Sequence, residues 1–113
     1  MGDNISLLGN ILSVTAYTAL AEPHRRQILD LLRDGERSAN DLVARLDIGQ
    51  PGVSKHLKVL RDSGLVAVRP DGRRRWYGLR AQPLAEVDLW LEPYREYWSG
   101  RFDALERHLE ANP

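Results

Sequence analysis

"QPGVSKHLKVLRDSG", residues 50–64, is the stretch on which the reading of this chain turns. Val53, Leu57 and Leu60 fall at i, i+4 and i+7, so a helix through this stretch aligns them in one buried stripe. Ser54, Lys55, Lys58 and Arg61 fall outside the stripe, and Gly64 supplies the residue that most readily closes a helix. The result is an amphipathic helix with a basic outer face. Such a face is either a solvated surface or one that meets a polyanion, and the flanking sequence has to choose between them.

Immediately upstream, "SANDLVARLDIG" (38–49) opens on Ser38 as an N-cap, with Asp41 three residues on in a variant of the capping box. It places Leu42, Val43 and Leu46 on one side and leaves only two to four residues before the basic helix. Further back, "EPHRRQILDLLRDG" (22–35) carries Pro23 at a first helical position and an apolar stripe of Ile28, Leu29, Leu31 and Leu32, with Gly35 at its end. A short apolar helix is expected before it, from Ser13 to Leu20. Downstream, "LVAVR" (65–69) and "RRWYGL" (74–79) are β-type runs around Pro70-Asp71-Gly72, where proline presets φ and glycine accepts a positive one. The order is helix, helix, short turn, basic helix, hairpin.

A short helix, a tight turn and a second helix with a buried stripe form the helix-turn-helix pattern. The second helix must enter a major groove about 12 Å wide with its N-terminal side chains on base edges. Here those side chains are Gln50, Ser54, Lys55 and His56, with Lys58 one turn further on. Gln suits adenine, Ser several bases, and Lys guanine or phosphate. The helix N-terminus itself favours a phosphate oxygen. For His56 the competing reading is a surface or half-buried histidine with no specific role.

Charge supports the polyanion. The 113-residue chain has a formal net charge of zero, yet residues 50–80 carry eight Lys/Arg against two Asp/Glu. Residues 1–49 carry five against seven, and residues 81–113 three against seven. A basic block between acidic flanks marks a nucleic-acid partner better than net charge does. Arg73, Arg74 and Arg75 follow the hairpin turn, where no internal carboxylate is placed to neutralise all three. They are expected to grip the DNA backbone, with Arg75 also able to pair inward.

The length suits one domain, and 42% hydrophobic with 28% charged residues suits a folded globular chain. With no cysteine there are no disulfides, thiolate metal sites or thiol switches. The longest apolar stretch, "ISLLGNILSVTAYTAL" (5–20), is broken by polar residues and preceded by no basic one, so neither a signal peptide nor a membrane span is expected. "MGDNIS" formally matches a myristoylation start and a glycosylation sequon, both too short to be read as signals. A cytoplasmic location without membrane partners is the expectation.

The last third is helical again. Leu84, Val87 and Leu91 follow Pro83 at spacings of three and four, and Pro93 is expected to break or kink the helix between Trp90 and Tyr94. Beyond it Tyr94, Trp98, Phe102, Leu105 and Leu109 continue the stripe. This much aromatic surface on a small domain predicts a homodimer, with Ile11, Leu12 and Tyr17 packing against Trp90, Tyr94 and Trp98 of either chain, extended by Phe102 and Leu105.

Residues 20–79, "LAEPHRRQILDLLRDGERSANDLVARLDIGQPGVSKHLKVLRDSGLVAVRPDGRRRWYGL", resemble the ArsR family of winged helix-turn-helix transcriptional regulators. The most specific parts are "QPGVSKHLKVLRDSGLV" and "DGRRRWYGL", which resemble the family's recognition helix and wing. The tail "WLEPYREYWSGRFDALERHLE" (90–110) resembles a subgroup without the usual metal-binding cysteines. The resemblance implies a mostly α fold with a small β-hairpin wing (α+β), dimeric, repressing from an operator in duplex DNA. By position it assigns Gln50, Ser54, Lys55, His56 and Lys58 to the groove and Arg73, Arg74 and Arg75 to the wing. The domain layout follows: one domain over 1–113, helix-turn-helix 38–64, wing 65–80, dimerisation helices 11–20 and 84–110.

The best-known members sense soft metals through a cysteine pair on the helix corresponding to "SANDLVARL", which has none here. The tail offers Asp88, Glu92, Asp103, Glu106, His108 and Glu110, a set with one nitrogen donor. No metal site and no cofactor are therefore expected, and stoichiometric zinc, cadmium or arsenite should leave DNA affinity unchanged. A small-molecule effector of unknown identity stays open. His24, His56 and His108 are scattered along the sequence, with no phosphate loop or nucleophile motif, so an enzyme is not expected. The alternative to a DNA-binding regulator is a winged-helix protein-interaction module whose aromatic tail docks another protein.

Overall fold

The computed structural model describes residues 16–111. Residues 16–20 are helical and precede α1 (Pro23–Leu32), β1 (Arg37–Ser38), α2 (Ala39–Arg45), α3 (Gly49–Asp62), β2 (Val66–Asp71), β3 (Arg74–Leu79) and α4 (Leu84–Ala111). The expected order of elements is present, with one strand more than the sequence indicates.

Each helix of the central domain is bounded by the chemistry of its ends. Pro23 occupies the first turn of α1, where its missing N–H costs nothing, and the Glu22 carboxylate accepts from the Arg25 amide at 3.0 Å. Ser38 caps α2 by accepting from the Asp41 amide at 3.1 Å. At the end of α3 the Leu65 amide reaches the Leu60 carbonyl and the Gly64 amide reaches Arg61, each at 3.0 Å. Gly64 makes this paired closure with φ +80°, a conformation that other residues resist. The buried Ser63 hydroxyl donates to the same Leu60 carbonyl.

The core lies where these helices meet the sheet. Ile28, Leu29 and Leu32 from α1, Leu42 from α2, and Val53, Leu57 and Leu60 from α3 are buried with Ala19, Leu65, Val66 and Tyr77. Leu31 is only partly buried, at the edge of that cluster. The sheet has the order β1-β3-β2 and is antiparallel throughout, with Arg37 opposite Tyr77 and Ser38 opposite Trp76. β1 has two residues, too few to show an alternation in sequence.

Of the break or kink expected at Pro93, the break is corrected: α4 runs from Leu84 to Ala111 as one helix, with Pro93 inside it. The proline removes the single donor that would serve the Leu89 carbonyl four residues back. Leu89 lies on the exposed side, where water can take that place. One turn away, the Arg95 guanidinium donates to both the carbonyl and the carboxylate of Asp88. Leu84, Val87 and Leu91 are half-buried, whereas Trp90, Tyr94, Trp98, Phe102 and Leu105 are exposed. Ile11 and Leu12, expected to pack with this tail, lie outside the described residues.

Candidate nucleic-acid interface

α3 is oriented by its stripe. With Val53, Leu57 and Leu60 buried, Gln50, Ser54, Lys55, Lys58 and Arg61 stand on the exposed side. The N-terminus of α3 has no side-chain cap and no acidic residue in its first turn, so its free amides and dipole are uncompensated. Lys58 forms an exposed i,i+4 pair with Asp62 at 2.9 Å, a contact worth at most about 0.5 kcal/mol and readily exchanged for a phosphate.

β2 and β3 form a hairpin closed by the pair Asp71–Arg74, so its turn is Gly72-Arg73. Gly72 has φ +62° and no non-glycine residue has positive φ among the described residues, which matches a II′ turn with glycine first. Arg73 sits at the tip, and Arg74 and Arg75 begin the returning strand; all three are exposed. Among the described residues none of their guanidiniums forms a hydrogen bond or ion pair, so Arg75 does not pair inward. The base of the hairpin is held by Tyr77, which is buried, and by Trp76, whose indole N–H donates to Asp71 at 3.4 Å. Arg69 is engaged differently, paired with Glu36 at 3.1 Å. Ser38, Ala39 and Asn40 at the start of α2 line an open groove of about 410 Å³ together with Arg73, Arg74, Arg75 and Tyr77. Asn40 joins the basic tip through this tertiary approach, which its position in sequence does not signal.

His56 departs from the other α3 candidates. Its side chain is only 15% exposed and its ring stacks on that of His24, with centroids 5.8 Å apart. Nε2 lies 3.7 Å from Glu22 Oε2, and Nδ1 lies 3.4 Å from Arg25 Nη1. Burial lowers its pKa from the ordinary histidine value; Glu22 opposes that shift, and Arg25, His24 and Lys55 add to it. At Glu22 burial raises the carboxyl pKa, but hydrogen bonds from His24 and the Arg25 amide and the nearby histidines outweigh it. The carboxyl is therefore held below the usual glutamate value. The expectation that the histidines are scattered is corrected for His24 and His56. Chain reversal between α1 and α3 brings them together, and Glu22 joins them.

The exposed recognition-type helix and the three-stranded basic wing define a winged helix-turn-helix DNA-binding domain. Residues 22–68 match the family model described as "Bacterial regulatory protein, arsR family". The chain is 40% identical over 73 residues to the arsenical resistance operon repressor of Staphylococcus aureus, the match covering 65% of this chain and 70% of that protein. It is also similar to the crystal structure of an ArsR family transcriptional regulator, at TM-score 0.69 and 30% identity, over 80% of this chain and 93% of the other. A third match, at TM-score 0.65 and 27% identity over 85% and 87% of the two chains, is the homodimeric winged helix-turn-helix DNA-binding domain of a possible ArsR-family regulator from Mycobacterium bovis. The chain belongs to the ArsR family. It is a DNA-binding transcriptional regulator of a family that is not enzymatic. Among the described residues no helix is long and apolar enough to cross a membrane.

Proposed function

We propose that this chain is a homodimeric repressor that reads an operator in duplex DNA with the N-terminal half of α3 and grips the flanking backbone with its wing. The observation that carries the reading is the basic tip: Arg73, Arg74 and Arg75 are exposed with no partner among the described residues. Gln50, Ser54 and Lys55 are assigned to base edges, Lys58 to phosphate or guanine, and the three arginines to phosphates. His56, turned towards Glu22, contributes to the groove face only through the placement of its helix. The repressor names among the relatives support the mode of action.

Dimerisation is supported by the exposed aromatic stripe of α4 and by the homodimeric Mycobacterium bovis neighbour. Tyr17, Trp90, Tyr94, Trp98, Phe102 and Leu105 form the described part of the proposed interface. Without cysteine the chain has no thiolate for arsenite, cadmium or mercury, so release by those soft metals through cysteine ligation is not part of the proposal. The testing experiment is selection from random duplex DNA followed by binding titrations. Enrichment of a near-palindromic sequence bound by two protomers is expected. No enriched sequence would return the chain to the protein-docking reading.

A further inference from the structure

We propose that Glu22, His24 and His56 form a site for one borderline divalent transition-metal ion, such as zinc or nickel, joining the first turn of α1 to the recognition helix. Each residue offers one ligand atom, and the three atoms lie within 4.8 Å of one another. Glu22 occupies the middle, with Oε1 2.9 Å from His24 Nδ1 and Oε2 3.7 Å from His56 Nε2. A tetrahedral ion with bonds of about 2.0–2.1 Å holds its donors about 3.4 Å apart. The two measured separations run to different oxygens of the one carboxylate, and the three candidate donor atoms together lie within 4.8 Å, so the site must draw in to close on an ion. Rotamer adjustments of about an ångström suffice, because all three side chains are partly exposed. Two imidazoles and a carboxylate suit borderline metals, and three protein ligands leave a position for water or an exogenous donor.

The outer contacts favour the same geometry at His24. With the ion on Nδ1 the ring proton lies on Nε2, which is 4.0 Å from Asp47 Oδ1. That separation is beyond hydrogen-bonding distance, so Asp47 favours this tautomer through its charge alone. His56 is the costly ligand. With the ion on Nε2 its proton lies on Nδ1, which then faces the Arg25 guanidinium at 3.4 Å as donor against donor. Ion binding therefore expels Arg25 from this contact. That guanidinium also holds the carbonyls of Ala19 at 2.7 Å and Thr18 at 3.1 Å, in the segment whose Tyr17 ring meets Trp90 edge-on. The ion thus acts on both the recognition helix and the segment next to the aromatic tail. Its binding does not depend on the operator reading above.

The test is competition between the metal-stripped full chain and a chromophoric zinc indicator, followed by thermal unfolding with and without zinc. Wild type should withhold one equivalent per chain and unfold at a higher temperature with zinc. Glu22→Gln, which keeps an oxygen for the Arg25 amide, and His24→Gln should each weaken zinc binding at least tenfold, the scale at which even outer partners act in metal sites (about 10–100-fold). Both should unfold like stripped wild type without metal, and His108→Gln should bind zinc as wild type does. The proposal is overturned if wild type leaves the indicator saturated. It is equally overturned if Glu22→Gln and His24→Gln retain full affinity, or if His108→Gln loses it.

Discussion

Gln50 and Ser54 leave the exposed face of α3 with no side-chain hydrogen bond to give up among the described residues, and the same holds for Arg73 and Arg74 on the wing. The two pairs should nevertheless fail differently when truncated. If Gln50 and Ser54 make the proposed base contacts, alanine at either should cost about 1–3 kcal/mol at particular operator positions and leave the salt dependence nearly unchanged. The double substitution Arg73→Ala, Arg74→Ala should remove the proposed phosphate contacts, so operator and random duplexes should weaken alike. The slope of log affinity against log salt should flatten by roughly 0.9 per lost contact. Binding titrations at several salt concentrations separate the two. An unchanged slope and affinity in the wing variant would make those arginines a solvated face.

At the scale of elements, the wing depends on its turn and α2 on its first residues. Gly72 holds φ +62° with open space where a Cβ would stand, so substitution meets no clash and its cost is purely conformational. Gly72→Val should lower unfolding free energy by about 1–2 kcal/mol, read as a shift in the denaturant midpoint without a change in slope. Arg37 links three elements: its guanidinium donates to the Leu31 carbonyl at 2.8 Å and to the Asp41 carboxylate at 2.7 Å. The Arg37 hydrogen bond, opposed by partial burial and aided by Arg45, holds the Asp41 carboxyl below its ordinary value of 3.8. A carboxyl with a depressed pKa stabilises the fold fully above its unfolded value and loses that contribution as pH falls through the folded one. Stability should therefore decline as pH drops below about 4. Asp41→Asn, less stable at neutral pH, should show a shallower acid decline in denaturation measured at stepped pH.

The whole molecule is extended by its tail. Its radius of gyration is 18.4 Å, against about 13 Å for a compact domain of this length, and α4 buries no residue fully. Trp90, Tyr94 and Trp98 instead form a row of tilted rings along the helix, with successive centroids 5.1 and 6.5 Å apart. This exposed aromatic row is the surface on which the proposed dimer rests. Trp98→Ala with Phe102→Ala should weaken self-association by several kcal/mol, given about 3–5 kcal/mol for a fully buried aromatic. Sedimentation should then find the wild type dimeric and the variant monomeric at micromolar concentration. A monomeric wild type would refute the proposed dimer.

What the sequence determined by itself is what depends on near neighbours along the chain. The stripe Val53, Leu57 and Leu60, the Ser38 cap, the Gly64 closure and the positive-φ Gly72 each act within one or two helical turns or a single hairpin, although the turn falls at Gly72-Arg73 and Pro70 and Asp71, expected in it, are paired in β2. Their periods and caps were legible, and with them the fold and the exposed faces of α3 and the wing. The tertiary structure alone decided where distant segments meet. β1 exists because Arg37 and Ser38 lie beside β3, not because two residues prefer a strand. Pro93 stays inside α4 because the helical bonds on both sides outweigh one missing donor on an exposed face. His56 turns from the groove face towards Glu22 and His24 because packing α3 on α1 places its ring there. Local propensity has no access to such contacts: their free energy arises only when chain closure brings the partners together.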